Sequence, residues 1–133
     1  MNTTLAFRHF PEWGARLLIP MSMAGVCVAQ IVDATNGCGR EGIEGALVPD
    51  TILGLDVAPV CRIHDWMYVE ADSLEDEEDA DAVLAANMVE YIKQKSANSF
   101  MVWLRLRRAY KYIDAVTLTD VVDVDRTPEV SLA

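Results

Sequence analysis

The chain has 133 residues, of which 52% are hydrophobic, and it carries a formal net charge of −10. This length predicts a single domain with a substantial core, and the apolar content excludes a disordered chain. The net charge argues against nucleic acid as a partner, because a phosphate-binding surface must be basic, and against tight electrostatic binding to strongly anionic lipid.

Residues 1–35 form an N-terminal apolar segment that permits two interpretations. Residues 17–32 are almost continuously apolar, but a comfortable transmembrane helix needs about 20 residues. In one interpretation, residues 21–32 form a buried helix entered through Pro20. In the other, the N-terminus is a secretion signal cleaved after Ala29, which would make the protein secreted or active at a membrane surface. Pro20 and the long leading segment favour the retained helix.

A glycine-rich stretch follows at residues 36–45, with four glycines in ten residues. Such a sequence predicts a loop, because it is unstable in the interior of a helix or strand. A loop of this kind can turn carbonyl oxygens inward, and calcium accepts carbonyl oxygens alongside carboxylates. Taken alone, however, the stretch is explained by a turn without an ion. Residues 47–59 then form a connector with one short turn.

The first strongly patterned helix contains the sequence CRIHDWMY at residues 61–68. Residues three and four apart share a helix face, so Cys61, His64 and Tyr68 lie on one stripe. Asp65 points about 100° away from His64, so a carboxylate that orients His64 must come from another element. Asp65 is then available to bind something else, most simply a hard cation.

A second helix starts with the acidic run at residues 75–79, and Ser73 with Asp76 has the form of a capping box. Asp81 heads an unbroken apolar stripe at helical spacing, made of Leu84, Ala85, Met88, Val89 and Ile92. A carboxylate at the head of a buried face is costly unless it has a partner. We therefore expect a buried Asp81 to face the first helix, with Asp79 as the alternative.

Residues 100–116 predict a third helix, and residues 119–133 form an acidic tail. Six of the eleven basic residues lie between positions 93 and 111, interleaved with aromatic residues. This pattern suits a membrane interface. It equally suits docking against the acidic run at residues 75–79, which is the interpretation that we favour.

Residues 61–68 resemble the active-site helix of the phospholipase A2 superfamily. That helix carries a cysteine, then His-Asp after two intervening residues, and a tyrosine four residues after the histidine. All four positions match here, as Cys61, His64, Asp65 and Tyr68. The resemblance covers about residues 36–92, and the Arg- and Tyr-rich end is more weakly similar to small phage and prophage members. The alternative without a function is a helix with His64 in the core and Asp65 in solvent.

The resemblance implies an all-α fold: two long antiparallel helices, a calcium loop in front of them and a third C-terminal helix, within a catalytic domain at residues 36–118. It implies a Ca²⁺ ion held by the carbonyls of Gly39 and Gly42 and by the Asp65 carboxylate. The spacing of the loop differs from that of the common animal enzymes, so other carbonyls remain candidates.

The same resemblance pairs Cys38 with Cys61 in a disulfide between the loop and the helix. Closing a loop of that size would stabilise the fold by roughly 3 kcal/mol in the chain-entropy model. Two reduced cysteines in the core are the alternative, and a cytosolic compartment would enforce it.

The implied reaction is calcium-dependent hydrolysis of the sn-2 ester of a glycerophospholipid at a membrane surface. His64 would be the general base, Asp81 would fix its tautomer, and Tyr68 or Tyr91 would donate a hydroxyl to Asp81. Two other classes remain open. One is a catalytically silent module of the same fold that binds calcium or lipid or serves as a phage component. The other is a metal-dependent phosphohydrolase that uses His9 as a ligand.

Overall fold

The structure, a computed structural model, describes residues 4–35, 51–111 and 128–130. Strands β1 (Leu5–Phe10) and β2 (Ala15–Pro20) come first, followed by a short 3-10 helix (Met21–Met23) and helix α1 (Val28–Ala34). Strands β3 (Thr51–Ile52) and β4 (Leu55–Asp56) precede three helices, α2 (Ala58–Glu70), α3 (Leu74–Lys95) and α4 (Ser99–Ala109). Strand β5 (Glu129–Val130) follows them in the chain.

The predicted all-α fold is wrong, because the described residues form four α-helices together with two small sheets. One sheet has three strands in the order β2-β1-β5, and the other pairs β3 with β4. The helix predicted over residues 21–32 is also wrong in its first half, since residues 21–23 form a 3-10 helix and only residues 28–32 are α-helical. The apolar residues 17–20 before it belong to β2. The three residues Leu17, Leu18 and Ile19 are all fully buried. This strand therefore lacks the alternation that identifies a half-exposed strand.

Strands β1 and β2 form an antiparallel hairpin, with Leu5 opposite Pro20 at one end and Phe10 opposite Ala15 at the other. The turn between them contains Gly14, whose φ of 59° lies in the left-handed region that favours glycine. On its other side, β1 pairs in parallel with β5, so β2 is an edge strand.

Helix α3 covers the outer edge of β2 with two side-chain amides. The Leu18 N–H donates to Asn87 Oδ1 at 2.7 Å, and Asn87 Nδ2 donates to the Leu18 carbonyl at 2.8 Å. About two turns further along the helix, Gln94 makes the same pair of bonds with Arg16, both at 2.7 Å. Each amide takes the place of a residue of a neighbouring strand and satisfies one N–H and one C=O of the sheet edge.

The short connection between α2 and α3 makes these helices antiparallel neighbours. Ser73 caps α3, because its Oγ accepts a hydrogen bond of 3.1 Å from the Asp76 N–H. The Asp76 carboxylate in turn accepts from the Asp72 N–H at 3.0 Å. The predicted cap is confirmed, and the tight connection places the last turns of α2 opposite the first turns of α3.

One hydrophobic core joins the hairpin to the helices, with members such as Phe7 on β1, Ile63 on α2 and Met88 on α3. The middle of α3 is buried on every side, including the set Ala82, Val83, Ala86 and Asn87. Cleavage after Ala29, one of the two interpretations of the N-terminus, would remove both strands of the hairpin from this core.

Helix α4 starts close to where it was predicted, with Asn98 as its cap, because Asn98 Oδ1 accepts from the Met101 N–H at 2.9 Å. Residues 112–116 of the predicted helix lie outside the described residues. Three of its residues pack inward against the core: Val102, Leu106 and Ala109. Arg105 joins α4 to the turn between β3 and β4 by donating to the Leu53 carbonyl at 3.0 Å. None of the described helices is long and apolar enough to cross a membrane.

Candidate functional site

Helix α2 buries most of its apolar residues and leaves two of the predicted site residues, His64 and Tyr68, partly exposed. Its core-facing positions are fully buried, among them Val60 and Ile63. His64 and Tyr68 lie one turn apart, and the His64 side chain keeps 21% of its surface exposed. The predicted stripe therefore runs from a buried Cys61 through a partly exposed His64 towards solvent at Tyr68.

The His64 ring contacts the Asp81 carboxylate from the facing helix, with Nε2 and Oδ1 2.7 Å apart. An ionised carboxylate has no proton to donate, so Nε2 is the donor in this contact. In the neutral imidazole, Nδ1 then carries the lone pair and is able to accept a proton. Helical spacing predicted that Asp81 faces the first helix, and the resemblance implied its contact with His64; this contact is confirmed.

The Tyr68 hydroxyl donates to the same carboxylate, at 3.2 Å to Oδ1 and 3.4 Å to Oδ2 of Asp81. Its ring also packs against the His64 ring, with the centroids 4.6 Å apart and the planes tilted by 52°. Burial, followed by the charge and the hydrogen bond of Asp81, raises the pKa of Tyr68 to about 12. The phenol therefore stays protonated and keeps donating to Asp81 at neutral pH. Tyr91, the other candidate donor, is buried further along α3.

The expected burial of Asp81 is wrong, because its side chain is 51% exposed. The stripe from Leu84 to Ile92 is largely buried as predicted, but in the second turn of α3 the core covers Asp79 and Ala80 and leaves Asp81 exposed. Asp79 is the buried acid instead, with 5% of its surface exposed and no partner for Oδ2 among the described residues. Burial is the main cause of the raised pKa of Asp79; the positive charge of the N-terminus lowers this pKa, and the neighbouring acids, Glu75 first, raise it.

Of the predicted calcium ligands, the structure describes only Asp65, which is buried on α2. Gly39 and Gly42 lie outside the described residues. The prediction of a metal-binding group is contradicted within those ranges, since they hold no cluster of three or more His, Cys, Asp or Glu side chains suited to an ion. His9, the ligand that a phosphohydrolase would need, is exposed on β1 and belongs to no such cluster.

The predicted disulfide is likewise not found between described residues. These residues include two cysteines that are not joined to each other: Cys27 is exposed and free, and Cys61 is buried. Cys61 is nevertheless not a free thiol. Cys38, the partner that the resemblance implies, lies outside the described residues.

A hydrogen-bonded chain that the sequence did not predict links α2 to the end of the hairpin. Trp66 Nε1 donates to Ser22 Oγ at 3.2 Å, and Ser22 Oγ donates to Glu70 at 2.6 Å. It borders an open cleft of about 580 Å³ whose lining does not include His64 or Asp81. No local spacing could have predicted this chain, because Ser22 and Trp66 are 44 residues apart.

Comparisons with protein-family models, with curated proteins and with solved structures found no match to this chain. The functional interpretation therefore depends on the geometry around His64.

Proposed function

We propose that this protein hydrolyses the sn-2 ester of glycerophospholipids, with His64 as the general base. The observation that carries the proposal is the 2.7 Å contact between His64 Nε2 and Asp81 Oδ1, on a carboxylate that Tyr68 also contacts. A histidine held in one tautomer by a carboxylate, with its other nitrogen able to accept a proton, is the arrangement that water activation needs.

In the proposed reaction, Nδ1 of His64 takes a proton from a water molecule while the water oxygen attacks the ester carbonyl. The imidazolium that forms is stabilised by the Asp81 carboxylate on Nε2. The bond between the carbonyl carbon and the glycerol oxygen then breaks, and His64 returns the proton to that oxygen. The products are a fatty acid and a lysophospholipid. General-base assistance of this kind contributes about 10²- to 10⁴-fold.

Calcium dependence is part of the proposal. The Asp65 carboxylate has the oxygen chemistry that calcium prefers, and its position on α2 leaves it out of the contact between His64 and Asp81. Asp65 would hold the ion together with the carbonyls of Gly39 and Gly42. A bound calcium ion would supply positive charge for the substrate phosphate and for the developing oxyanion.

The test is fatty-acid release from a short-chain phosphatidylcholine below its micelle concentration, with calcium or with EDTA. Wild-type protein should release fatty acid only with calcium. His64→Gln should lower the rate by about 10²- to 10⁴-fold without changing the thermal midpoint. His9→Gln is the matched control, since it removes the other histidine, and it should keep the wild-type rate.

Two results would contradict the proposal. If the wild-type protein is folded and releases no fatty acid under any of these conditions, it is catalytically silent and the proposed hydrolysis is wrong. A loss of activity in His9→Gln equal to that in His64→Gln would instead favour a site built from both histidines.

A further inference from the structure

Helix α4 has two apolar faces, and only one of them is covered by the described residues. The inward face packs on the core through Val102, Leu106 and Ala109. A second face, roughly 110° round the helix from the first, carries Phe100, Trp103, Arg107 and Tyr110, which follow one another at spacings of three, four and three. We call these four residues the outer stripe. Its aromatic members are 63%, 53% and 48% exposed, in chain order.

The outer stripe is ordered by contacts among its own members. The Phe100 and Trp103 rings stack with their centroids 6.2 Å apart. The Arg107 guanidinium lies 5.5 Å from the centroid of the Trp103 ring. These contacts hold two large rings and a cation side by side at the surface. Without them, three exposed side chains would be free to rotate.

The charge around the stripe differs from that of the rest of the chain. Residues 93–111 contain six bases and no acid, so the remaining residues hold five bases and all 21 acids. Two of the six bases serve the fold: Lys95 donates to the Trp13 carbonyl, and Arg105 donates to the Leu53 carbonyl. The other four are exposed: Lys93, Arg107, Arg108 and Lys111.

The docking that the sequence favoured, of these bases against the acidic run at residues 75–79, is not found. The structure shows no ion pair between α4 and that run in the part of the chain that it describes. The four bases are exposed, and one of them, Arg107, lies against the Trp103 ring in the outer stripe.

We propose that the outer stripe is a docking surface for an anionic phospholipid bilayer. Tryptophan, tyrosine and phenylalanine insert into the headgroup region, since their rings are apolar and the tips of tryptophan and tyrosine are polar. Each base near an anionic surface adds about 1 kcal/mol of attraction. A helix that is fixed to a core on one face, with exposed rings and bases beside that face, lies along such a surface.

The acidic remainder of the protein orients the molecule without preventing this docking. Electrostatic interactions fall off over about 8 Å at physiological ionic strength. This distance is less than the radius of gyration of a domain of this size, about 14 Å. Acids on the far side of the protein are therefore screened from a surface that α4 touches. An anionic bilayer that repels the acidic remainder of the protein favours contact through α4.

The test measures sedimentation of the full-length protein with vesicles made of equal parts of phosphatidylcholine and phosphatidylglycerol, in EDTA. Wild-type protein should bind these vesicles, and binding should weaken on pure phosphatidylcholine or at high salt. Changing Phe100→Ser and Trp103→Ser together should weaken binding by about tenfold or more, since two large rings lose their burial. Val69→Ser is the matched control, because Val69 is 73% exposed on α2 and lies off the stripe.

Failure of wild-type protein to sediment with the anionic vesicles would overturn the proposal. So would a double variant that binds as well as wild type, or a Val69→Ser variant that is equally impaired. A second copy of the chain could bind the outer stripe instead of a bilayer, and sedimentation velocity without lipid tests this alternative. A wild-type dimer that the double variant dissociates, with unchanged vesicle binding, would assign the stripe to self-association instead.

The docking surface and the proposed hydrolysis are tested by independent measurements. Vesicle binding in EDTA is measured without turnover, and hydrolysis is measured on dispersed short-chain lipid without a bilayer. The double variant should hydrolyse the dispersed lipid at the wild-type rate and hydrolyse vesicle lipid more slowly. Binding without any hydrolysis would leave the docking surface intact and contradict only the chemistry.

Discussion

Helix α3 makes two kinds of polar contact with its neighbours, and they differ in burial and in sequence distance. Near its start, Asp81 meets His64 of α2 across 17 residues of sequence, in a contact open to solvent. Further along, Asn87 meets the backbone of Leu18 across 69 residues, in a contact that is fully buried. The exposed pair is placed where a substrate and water can reach it, whereas the buried pair is placed where water cannot replace it.

The difference separates a contact that holds the fold from the contact to which we assign the proposed chemistry. An exposed carboxylate can be removed at little cost in stability, because water solvates what is left. Removing a buried amide that satisfies two backbone groups costs more stability, because both groups lose their partner and no water replaces it. Substitutions at the two ends of α3 should therefore separate stability from activity.

The largest expected effect is on stability, at Asn87. Asn87→Leu keeps the approximate size of the side chain but leaves the N–H and C=O of Leu18 unpaired in the core. We expect a loss of about 3 kcal/mol in the free energy of unfolding, measured by urea denaturation. Hydrolysis per folded molecule should not change, since Asn87 is far from the His64 ring along α3.

Gln94→Met is the control for that loss. Gln94 makes the same two bonds, to Arg16, but at an exposed position where water can replace the amide. Its loss should be less than about 1 kcal/mol. Equal losses at the two positions would mean that burial does not determine the cost and would break the comparison.

The next largest effect is on turnover, at Asp81. Asp81→Asn removes the charge that stabilises the His64 imidazolium, and its amide can face Nε2 with a donor, which selects the wrong tautomer. We expect the rate on dispersed lipid to fall by about 10²-fold, or about 2.7 kcal/mol of activation free energy. The thermal midpoint should stay near that of wild type. A variant that is strongly destabilised would show that the contact is structural.

The smallest effect is expected at Asp79, two residues earlier, and it depends on pH. Burial raises the pKa of Asp79 above its ordinary value of 3.8, so the folded state binds the proton more tightly than the unfolded chain. Stability is therefore lost as pH rises from 3.8 through the raised pKa. Asp79→Asn has the shape of the protonated acid and should be about 1 kcal/mol more stable than wild type at pH 7.

Below the ordinary pKa of aspartate, wild type and Asp79→Asn should have the same stability, because both side chains are neutral. Urea denaturation at acidic and neutral pH measures both values. Asp79→Asn should hydrolyse lipid at the wild-type rate, which makes it the control for Asp81→Asn. A less stable Asp79→Asn at pH 7 would show that the carboxylate has a favourable partner.

The arrangement around His64 could be predicted from the sequence because it depends on local geometry. Spacings of three and four within α2 put His64 and Tyr68 on one side, and the same spacing along α3 distinguished Asp81 from Asp79 as the residue that meets them. The burial of these two acids was predicted the wrong way round. The apolar stripe defines one direction around the helix, but in the second turn of α3 the core lies on the side of Asp79 and Ala80, which the stripe that starts at Asp81 does not indicate.

The hairpin could not be predicted in the same way. Leu17, Leu18 and Ile19 are buried on both faces of β2, so the strand has the apolar run of a core helix and no period of two. The amides that hold its edge are one asparagine and one glutamine in a long helix, and nothing near them in sequence indicates a strand. The all-α prediction followed from a resemblance that does not extend to this N-terminal segment.

The pairing of Asn87 and Gln94 with β2 also sets an order of events during synthesis. The hairpin is made early, but the groups that satisfy its outer edge come 69 and 78 residues later. Until α3 has been made and docked, an apolar strand with open backbone donors and acceptors is available to other chains. Closing contacts over such separations is slow compared with forming a helix. The nascent protein is therefore exposed to aggregation in the interval between translation of the hairpin and docking of α3.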